Sequence, residues 1–328
     1  MSIRDRALRF AAIGGAAIVG LSAYARHSVR RFEDLEPESA GAPGTFIDVE
    51  GVRVHYVEAG RGEPVVLIHG LNASTFSFRY MIPDLAQHFR VVALDLKGFG
   101  YSERPAEGDF SLTAQAKLVE QTMARLGIER AAVIGHSMGG AVAMHLATLF
   151  PERVDKLVLV NSATDRELRR GLRLAPLIRP LLPAIAFLTF HRRGFRRFEL
   201  QSGIHDPSYL TPEILDEYIR WSRMKGHLRG LGSFLVDRRS DGPLRPEAIS
   251  APTLVLWGEH DRWLPPESGE ELARLIPNAQ LDLVPSSGHM PMEEQPDYSA
   301  RALIAFLRAA EPAEAPQRQP AAQPESAS

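Results

Sequence analysis

Short apolar runs alternate with amphipathic stretches through most of the chain, and this alternation predicts its secondary structure. Seven runs indicate β-strands, at residues 52–57, 65–68, 91–94, 131–135, 156–160, 253–257 and 280–284. Several are continuously apolar, as expected for strands that are covered on both faces. Helical patterns separate most of them, and the clearest lie at residues 111–126 and 297–307. The sequence therefore predicts an α/β fold, with a mostly parallel twisted sheet and helices on both faces.

The alternation stops after Asn161, and residues 165–249 contain no strong strand pattern. This stretch predicts a helical insertion that separates a first core part, residues 46–164, from a second, residues 250–310. Its first half carries many arginines and a single acid, Glu167, between large aliphatic residues; the arginines are Arg166, Arg169, Arg170, Arg173, Arg179, Arg192, Arg193, Arg196 and Arg197. Two interpretations stay open: a basic, apolar surface that binds anionic lipid, or ordinary amphipathic helices with arginines in water.

Both ends of the chain lie outside the predicted core. Arginines flank an apolar run at residues 10–25, which is slightly short of the roughly 20 residues that span a bilayer. We favour a membrane anchor within residues 1–31; the alternatives are a signal segment cleaved on export, which would give a secreted or periplasmic protein, and a soluble helix. Residues 32–45 are predicted to form a linker. Residues 311–328 lack large apolar side chains and are predicted to be disordered.

The stretch Gly135-His136-Ser137-Met138-Gly139 carries the strongest chemical signal of the chain. It fits the G-x-S-x-G pattern and lies between a predicted strand and a predicted helix, the context of a nucleophile elbow. Glycines at both ends remove Cβ atoms that would collide in so tight a turn. Ser137 is therefore the candidate nucleophile.

A serine hydroxyl needs an adjacent base, and the base needs a group that orients it. Asp261 follows the strand at 253–257, and His289 follows the strand at 280–284. The order Ser, Asp, His along the chain is the order found in α/β-hydrolases. Asp261 is favoured over Asp165 as the acid. His260 lies on the acid's own loop and is not favoured as the base.

The strand at 65–68 runs into His69-Gly70-Leu71-Asn72, where one donor of an oxyanion hole is expected. The backbone N–H groups of Leu71 and Met138 are the candidate donors. These motifs, together with residues 95–102, resemble those of the α/β-hydrolase superfamily over residues 52–307. The resemblance is to its cap-bearing branch of esterases, monoacylglycerol lipases and carbon–carbon bond hydrolases, and it implies that residues 165–249 are a cap over the serine.

The resemblance implies a serine hydrolase that cleaves carboxylic esters of hydrophobic, lipid-like acyl groups through an acyl-enzyme, with no cofactor or metal. A serine at position 137 excludes the related enzymes that use a carboxylate nucleophile. A carbon–carbon bond hydrolase acting on a dienoate and a hydrolase-fold receptor with little turnover remain alternatives. The net charge of −2 gives no indication of nucleic-acid binding. The expected partners are a small hydrophobic ester and a lipid membrane, and the oligomeric state stays open.

Overall fold

The structure is a computed structural model that describes residues 20, 24, 27–29, 31–37, 39–164, 192–237 and 241–309. The predictions for the N-terminal apolar run, for Asp165 and the first half of the insertion, and for the C-terminal tail fall wholly or mostly outside these residues. Within the described part of the chain, no helix has both the length and the apolar character needed to span a bilayer.

The described chain folds around an eight-stranded sheet, and the predicted α/β-hydrolase fold class is confirmed. The strands are β1 (Thr45–Val49), β2 (Val52–Ala59), β3 (Pro64–Ile68), β4 (Arg90–Leu94), β5 (Ala131–His136), β6 (Val154–Val160), β7 (Thr253–Gly258) and β8 (Ala279–Val284). Their order in the sheet is β1-β2-β4-β3-β5-β6-β7-β8. β2 pairs antiparallel with β1 and with β4, and every other pair is parallel.

Helices cover both faces of the sheet. They are α1 (Met81–Leu85), α2 (Leu112–Arg125), α3 (Met138–Leu149), α4 (Arg193–Gly203), α5 (Pro212–Arg220), α6 (His227–Asp237), α7 (Pro266–Leu275), α8 (Pro291–Glu294) and α9 (Pro296–Arg308). The central strands are apolar on both sides, so successive side chains enter two separate hydrophobic cores, one on each face. Val66 and Val133 pack in one core, and Leu67 and Ile134 pack in the other.

All parallel strands end at the same edge of the sheet, and this edge carries the loops that follow β3, β5, β6, β7 and β8. A ligand site in an open α/β sheet lies outside these carboxyl ends. Helices α4 to α6 with their connections, here called the cap, form the described part of the long insertion between β6 and β7.

The segment expected to be a linker packs against the cap. The Glu33 carboxylate accepts hydrogen bonds from the backbone N–H groups of Gly226, at 2.9 Å, and Leu228, at 2.7 Å. Leu35 forms a parallel β-bridge with Met224. The proline- and glycine-rich composition of the segment indicates irregular backbone, but the hydrogen-bonding groups of irregular backbone can still find tertiary partners. The segment therefore forms hydrogen bonds with the second half of the cap.

Candidate active site

Ser137 occupies a strained turn between β5 and α3. Its φ of 52° and ψ of −117° lie in a region that non-glycine residues rarely adopt. The turn is closed so tightly that a Cβ on Gly135 would lie 2.3 Å from the carbonyl oxygen of Gly139. Met138 is the first residue of α3, so its N–H has no acceptor within the helix. The structure thus presents a serine beside a free backbone donor at a helix N-terminus, where the helix dipole favours negative charge.

His289 and Asp261 lie together at the ends of β8 and β7. The Nδ1–H of His289 donates a hydrogen bond to Oδ2 of Asp261 at 2.7 Å, and both residues are buried. This contact fixes the imidazole tautomer and leaves Nε2 as the ring nitrogen that can accept a proton. The two residues singled out from the sequence as acid and base are therefore paired in the structure.

Asp261 is surrounded by donors. Its Oδ1 accepts the N–H groups of Trp263, at 2.8 Å, and Leu264, at 3.0 Å, and its Oδ2 accepts Nδ2–H of Asn161 at 2.6 Å. Burial alone raises the pKa of Asp261, but the His289 charge and these hydrogen bonds outweigh it and hold the pKa below the usual value. The acid is thus kept ionised beside the imidazole.

Asn161 was not identified from the sequence as a site residue. It follows β6, the strand that lies between β5 and β7, so its side chain lies close to the acid loop. Besides Asp261, it bonds the carbonyl oxygen of Gly288 through Nδ2, at 3.3 Å, and the N–H of Gly258 through Oδ1, at 3.1 Å. Its position at the carboxyl end of a central strand is the feature of the sequence from which Asn161 could have been proposed as a site residue.

His136 links the elbow to the histidine loop. Its Nε2–H donates to the carbonyl oxygen of His289 at 2.9 Å, and the two rings lie 5.0 Å apart. Burial and the neighbouring His289 lower the pKa of His136 to about 3, so the ring is neutral. His136 therefore positions the main chain of the base.

The loop after β3 lies against the elbow. A Cβ on Gly70 would lie 3.1 Å from Cβ of Ser137. His69 shapes the loop with both ring nitrogens: Nδ1–H donates to the Gly70 carbonyl oxygen at 2.7 Å, and Nε2 accepts the Leu96 N–H at 3.1 Å. Because burial lowers the pKa of His69, the ring is neutral, as this pattern requires. Leu71, the other candidate oxyanion donor, is the next residue of this loop.

Asp95 and His260 have partners other than Ser137, His289 and Asp261. Asp95 accepts the N–H groups of Thr75, at 2.7 Å, and Tyr101, at 2.8 Å, and pairs with Nδ1 of His55 at 2.8 Å, so it fixes the loops around β4. His260 is partly exposed and stacks on His205 at 4.3 Å. Within the residues that the structure describes, no group of three or more His, Asp or Glu side chains could hold a metal ion.

Comparison with known proteins decides the family. A family model described as the α/β hydrolase fold matches residues 63–296. The chain belongs to this family. Its core, with β3 to β8 and the elbow, falls within the matched range, and the sequence resemblance is confirmed at the level of the superfamily.

The relatives of this hydrolase differ in chemistry. The uncharacterised hydrolase YugF of Bacillus subtilis is 32% identical over 82% of this chain and 99% of YugF. The 2-hydroxy-6-oxo-6-phenylhexa-2,4-dienoate hydrolase of Comamonas testosteroni is 32% identical over 80% of this chain and 93% of that enzyme. Among solved structures, a bacterial membrane phospholipase A has 27% identity and a TM-score of 0.69, covering 93% of this chain and 97% of that one.

The cap contacts the histidine loop directly. The backbone N–H of His289 donates to the carbonyl oxygen of Gly203, the last residue of α4, at 2.7 Å. A Cβ on Gly288 would lie 2.3 Å from the same oxygen, so only glycine fits there. The indole of Trp263 lies 4.9 Å from the His289 ring and bonds Oγ of Ser202 at 2.9 Å.

A buried ion-pair network reinforces this contact. The Glu293 carboxylate, on α8, pairs with Nη1 of Arg79 at 2.8 Å and accepts the hydroxyl groups of Tyr209, at 2.5 Å, and Tyr218 from the cap. Burial raises the pKa of Tyr218, and Glu293 raises it further, so this hydroxyl is a donor. Core, cap and histidine loop therefore meet at one carboxylate.

Proposed function

We propose that this hydrolase cleaves carboxylic esters through Ser137, His289 and Asp261. The observation that carries the proposal is the 2.7 Å contact between His289 and Asp261, combined with a serine in a strained elbow. This arrangement supports acyl transfer, because an oriented imidazole can take the serine proton while the hydroxyl attacks a carbonyl carbon.

The reaction has two halves. Ser137 Oγ bonds to the ester carbonyl carbon while His289 takes its proton, and the N–H groups of Leu71 and Met138 stabilise the oxyanion; one such donor is typically worth about 3 kcal/mol. The alcohol then leaves with the proton from His289. Water attacks the acyl-enzyme with His289 again as base, which releases the acid and restores the serine.

A fluorophosphonate probe tests the nucleophile. Ser137 should carry one label, located by peptide mass spectrometry, and Ser137→Ala should abolish both the label and ester turnover. Ser162→Ala is a matched control, because Ser162 lies beside the elbow at Gly140 but has no role in the proposed chemistry. Labelling that persists in Ser137→Ala contradicts the proposal.

The carbon–carbon bond hydrolase alternative needs a cation that receives the dienoate carboxylate. Arg196 is the buried arginine of the described cap, and its guanidinium bonds Oε2 of Glu199, at 2.5 Å, and the carbonyl oxygen of Asn72, at 3.2 Å. These partners favour a structural role for Arg196 over the binding of a dienoate carboxylate.

We also propose that the enzyme acts at a lipid membrane, held there by residues 1–31 and by the cap. Phe195 and Phe198 are exposed on α4, and Arg192 beside them is exposed as well. Aromatic and basic side chains together favour an anionic interface. The membrane phospholipase A among the structural relatives supports lipid-like substrates.

Deletion of residues 1–26 tests the anchor and leaves the cap contacts of residues 33–36 in place. The shortened protein should move from the membrane to the soluble fraction and keep its turnover of soluble esters. Its residual binding should be stronger to anionic than to neutral vesicles and should weaken in Phe198→Ser. Equal binding to both kinds of vesicle contradicts the role of the cap.

A further inference from the structure

Asn72 is buried without hydrogen-bond partners for its side chain. Only 4% of the residue is exposed, and within the described part of the chain neither Oδ1 nor Nδ2 of its amide has a partner. Burying an amide without compensation is unfavourable, and native structures seldom retain such a group without a reason. The fold therefore maintains Asn72 at the expense of stability.

The backbone of Asn72 is held firmly in an uncommon conformation. Its φ of 53° is left-handed, a region that asparagine tolerates better than most residues. Its carbonyl oxygen accepts Nη2–H of Arg196, at 3.2 Å, and the indole N–H of Trp221, at 3.3 Å. Both donors belong to the cap, so Asn72 lies at the boundary between core and cap.

Asn72 also lies next to the reaction centre along the chain. It follows Leu71, a candidate oxyanion donor, and Gly70, where an added Cβ would lie 3.1 Å from Cβ of Ser137. A substrate whose carbonyl oxygen accepts the N–H of Leu71 would lie next to Asn72, the following residue of the loop. The unsatisfied amide is therefore near the groups attached to the scissile carbonyl.

We propose that the Asn72 amide is a specificity group that recognises a hydroxyl on the alcohol part of the ester. The inference rests on the proposed ester hydrolysis. The amide offers one donor group and one acceptor, and a hydroxyl likewise donates and accepts. A carboxylate would use Nδ2 but leave Oδ1 unpaired, and an alkyl group would satisfy neither atom. Esters of hydroxylated alcohols such as glycerol therefore fit best.

The test compares two esters that share an acyl group and a three-carbon alcohol. Glycerol monobutyrate has free hydroxyls and propyl butyrate has none. In Asn72→Gly, the ratio of kcat/KM for the glycerol ester to that for the propyl ester should fall about tenfold or more, because a site built for a substrate hydroxyl loses that discrimination. Glycine accepts the left-handed φ, so the melting temperature should be unchanged or higher.

Glu50→Gly is the matched control, because Glu50 has a φ of 51° on an exposed turn between β1 and β2. Its ester ratio should equal that of the unsubstituted enzyme. An unchanged ratio in Asn72→Gly overturns the inference while the ester hydrolase stands. So does a lower melting temperature with equal losses on both esters, which would make Asn72 structural. Turnover of neither ester by the unsubstituted enzyme overturns the proposed function, and this inference with it.

Discussion

Ser137 and His289 are held by different parts of the molecule. The serine is positioned by β5, α3 and the neighbouring loop after β3, all of which belong to the core. The histidine follows β8, but its N–H bonds Gly203 of the cap and its loop is followed by α8, whose Glu293 bonds two cap tyrosines. Among the described residues, the cap thus bonds the base loop directly at His289, whereas it reaches the serine only through Asn72 of the neighbouring loop.

This difference has a consequence for catalysis. The cap contacts the histidine loop through Gly203, which also packs against Trp263 beside the His289 ring, so the positions of the cap and the imidazole are coupled. Among the described residues, the backbone hydrogen bonds of Ser137 are made with core residues, Val160 and Ala163 among them. We expect substitutions of the elbow glycines to affect folding first, and substitutions between the cap and the histidine loop to affect turnover first.

The largest effect is expected at the acid that serves the histidine. Asp261→Asn should lower kcat by about 10⁴-fold, because an amide stabilises the wrong imidazole tautomer and cannot stabilise the imidazolium. Steady-state kinetics, with circular dichroism to confirm folding, measures the effect. Asp165→Asn is the comparison variant, and a larger loss there would reassign the acid.

Gly139→Ala should destabilise the packing of the elbow against the loop after β3. Its Cβ would lie 2.2 Å from the carbonyl oxygen of Ile68 and 2.5 Å from that of His69, and neither backbone atom can rotate away. Overpacking of this kind costs about 3 kcal/mol, so the midpoint of urea unfolding should fall markedly. Gly194→Ala on α4 meets nothing within 4 Å and should be neutral or stabilising. Equal stability of both variants contradicts the prediction.

Gly203→Ala should disturb the contact between the cap and the histidine loop, with a smaller effect. Its Cβ would lie 2.7 Å from the indole ring of Trp263, a partly exposed side chain that can move. Displacement of α4 or of Trp263 shifts the His289 loop, and misplacement by about 1 Å can lower turnover by up to about 100-fold. We expect kcat to fall about tenfold, with a smaller loss of stability than in Gly139→Ala. A large stability loss with unchanged kcat would show that the cap does not position the base.

Much of the core could be predicted because its signals are local. Each of the seven predicted strands is present, since continuous apolar runs leave few alternatives to a buried strand. β1 was missed: it is a short edge strand with mostly exposed or half-buried positions, and it follows a proline- and glycine-rich stretch. Its pairing with β2 depends on the turn at Glu50 and Gly51, which composition alone does not reveal.

The candidate catalytic residues could be proposed from motifs, but the residues that hold them in position could not. Ser137, Asp261 and His289 each follow a strand whose end is visible in the sequence. Asn161 and the Glu293 network depend on contacts between segments far apart in the chain, which no local pattern encodes. Arg196 shows the same limit: both interpretations of the arginine-rich stretch place its arginines at a surface, but Arg196 is buried on α4 and bonds the Asn72 carbonyl oxygen.

The prediction with the smallest effect at neutral pH concerns His136, which joins the elbow to the histidine loop. Burial lowers its pKa to about 3, whereas an unfolded histidine has a pKa of about 6.5. As pH falls below 6.5, the unfolded state binds a proton that the folded state excludes, so stability is lost towards pH 3 and is unaffected above pH 7. The slope that one proton contributes is about 1.4 kcal/mol per pH unit.

In His136→Gln, whose amide can still donate to the His289 carbonyl, the free energy of unfolding measured in urea between pH 4 and 8 should fall less steeply on acidification. The same substitution at exposed His260 controls for the removal of a histidine as such. Parallel pH profiles for the unsubstituted protein and His136→Gln would mean that His136 is protonated in the folded enzyme, and its bond to the base would then need another explanation.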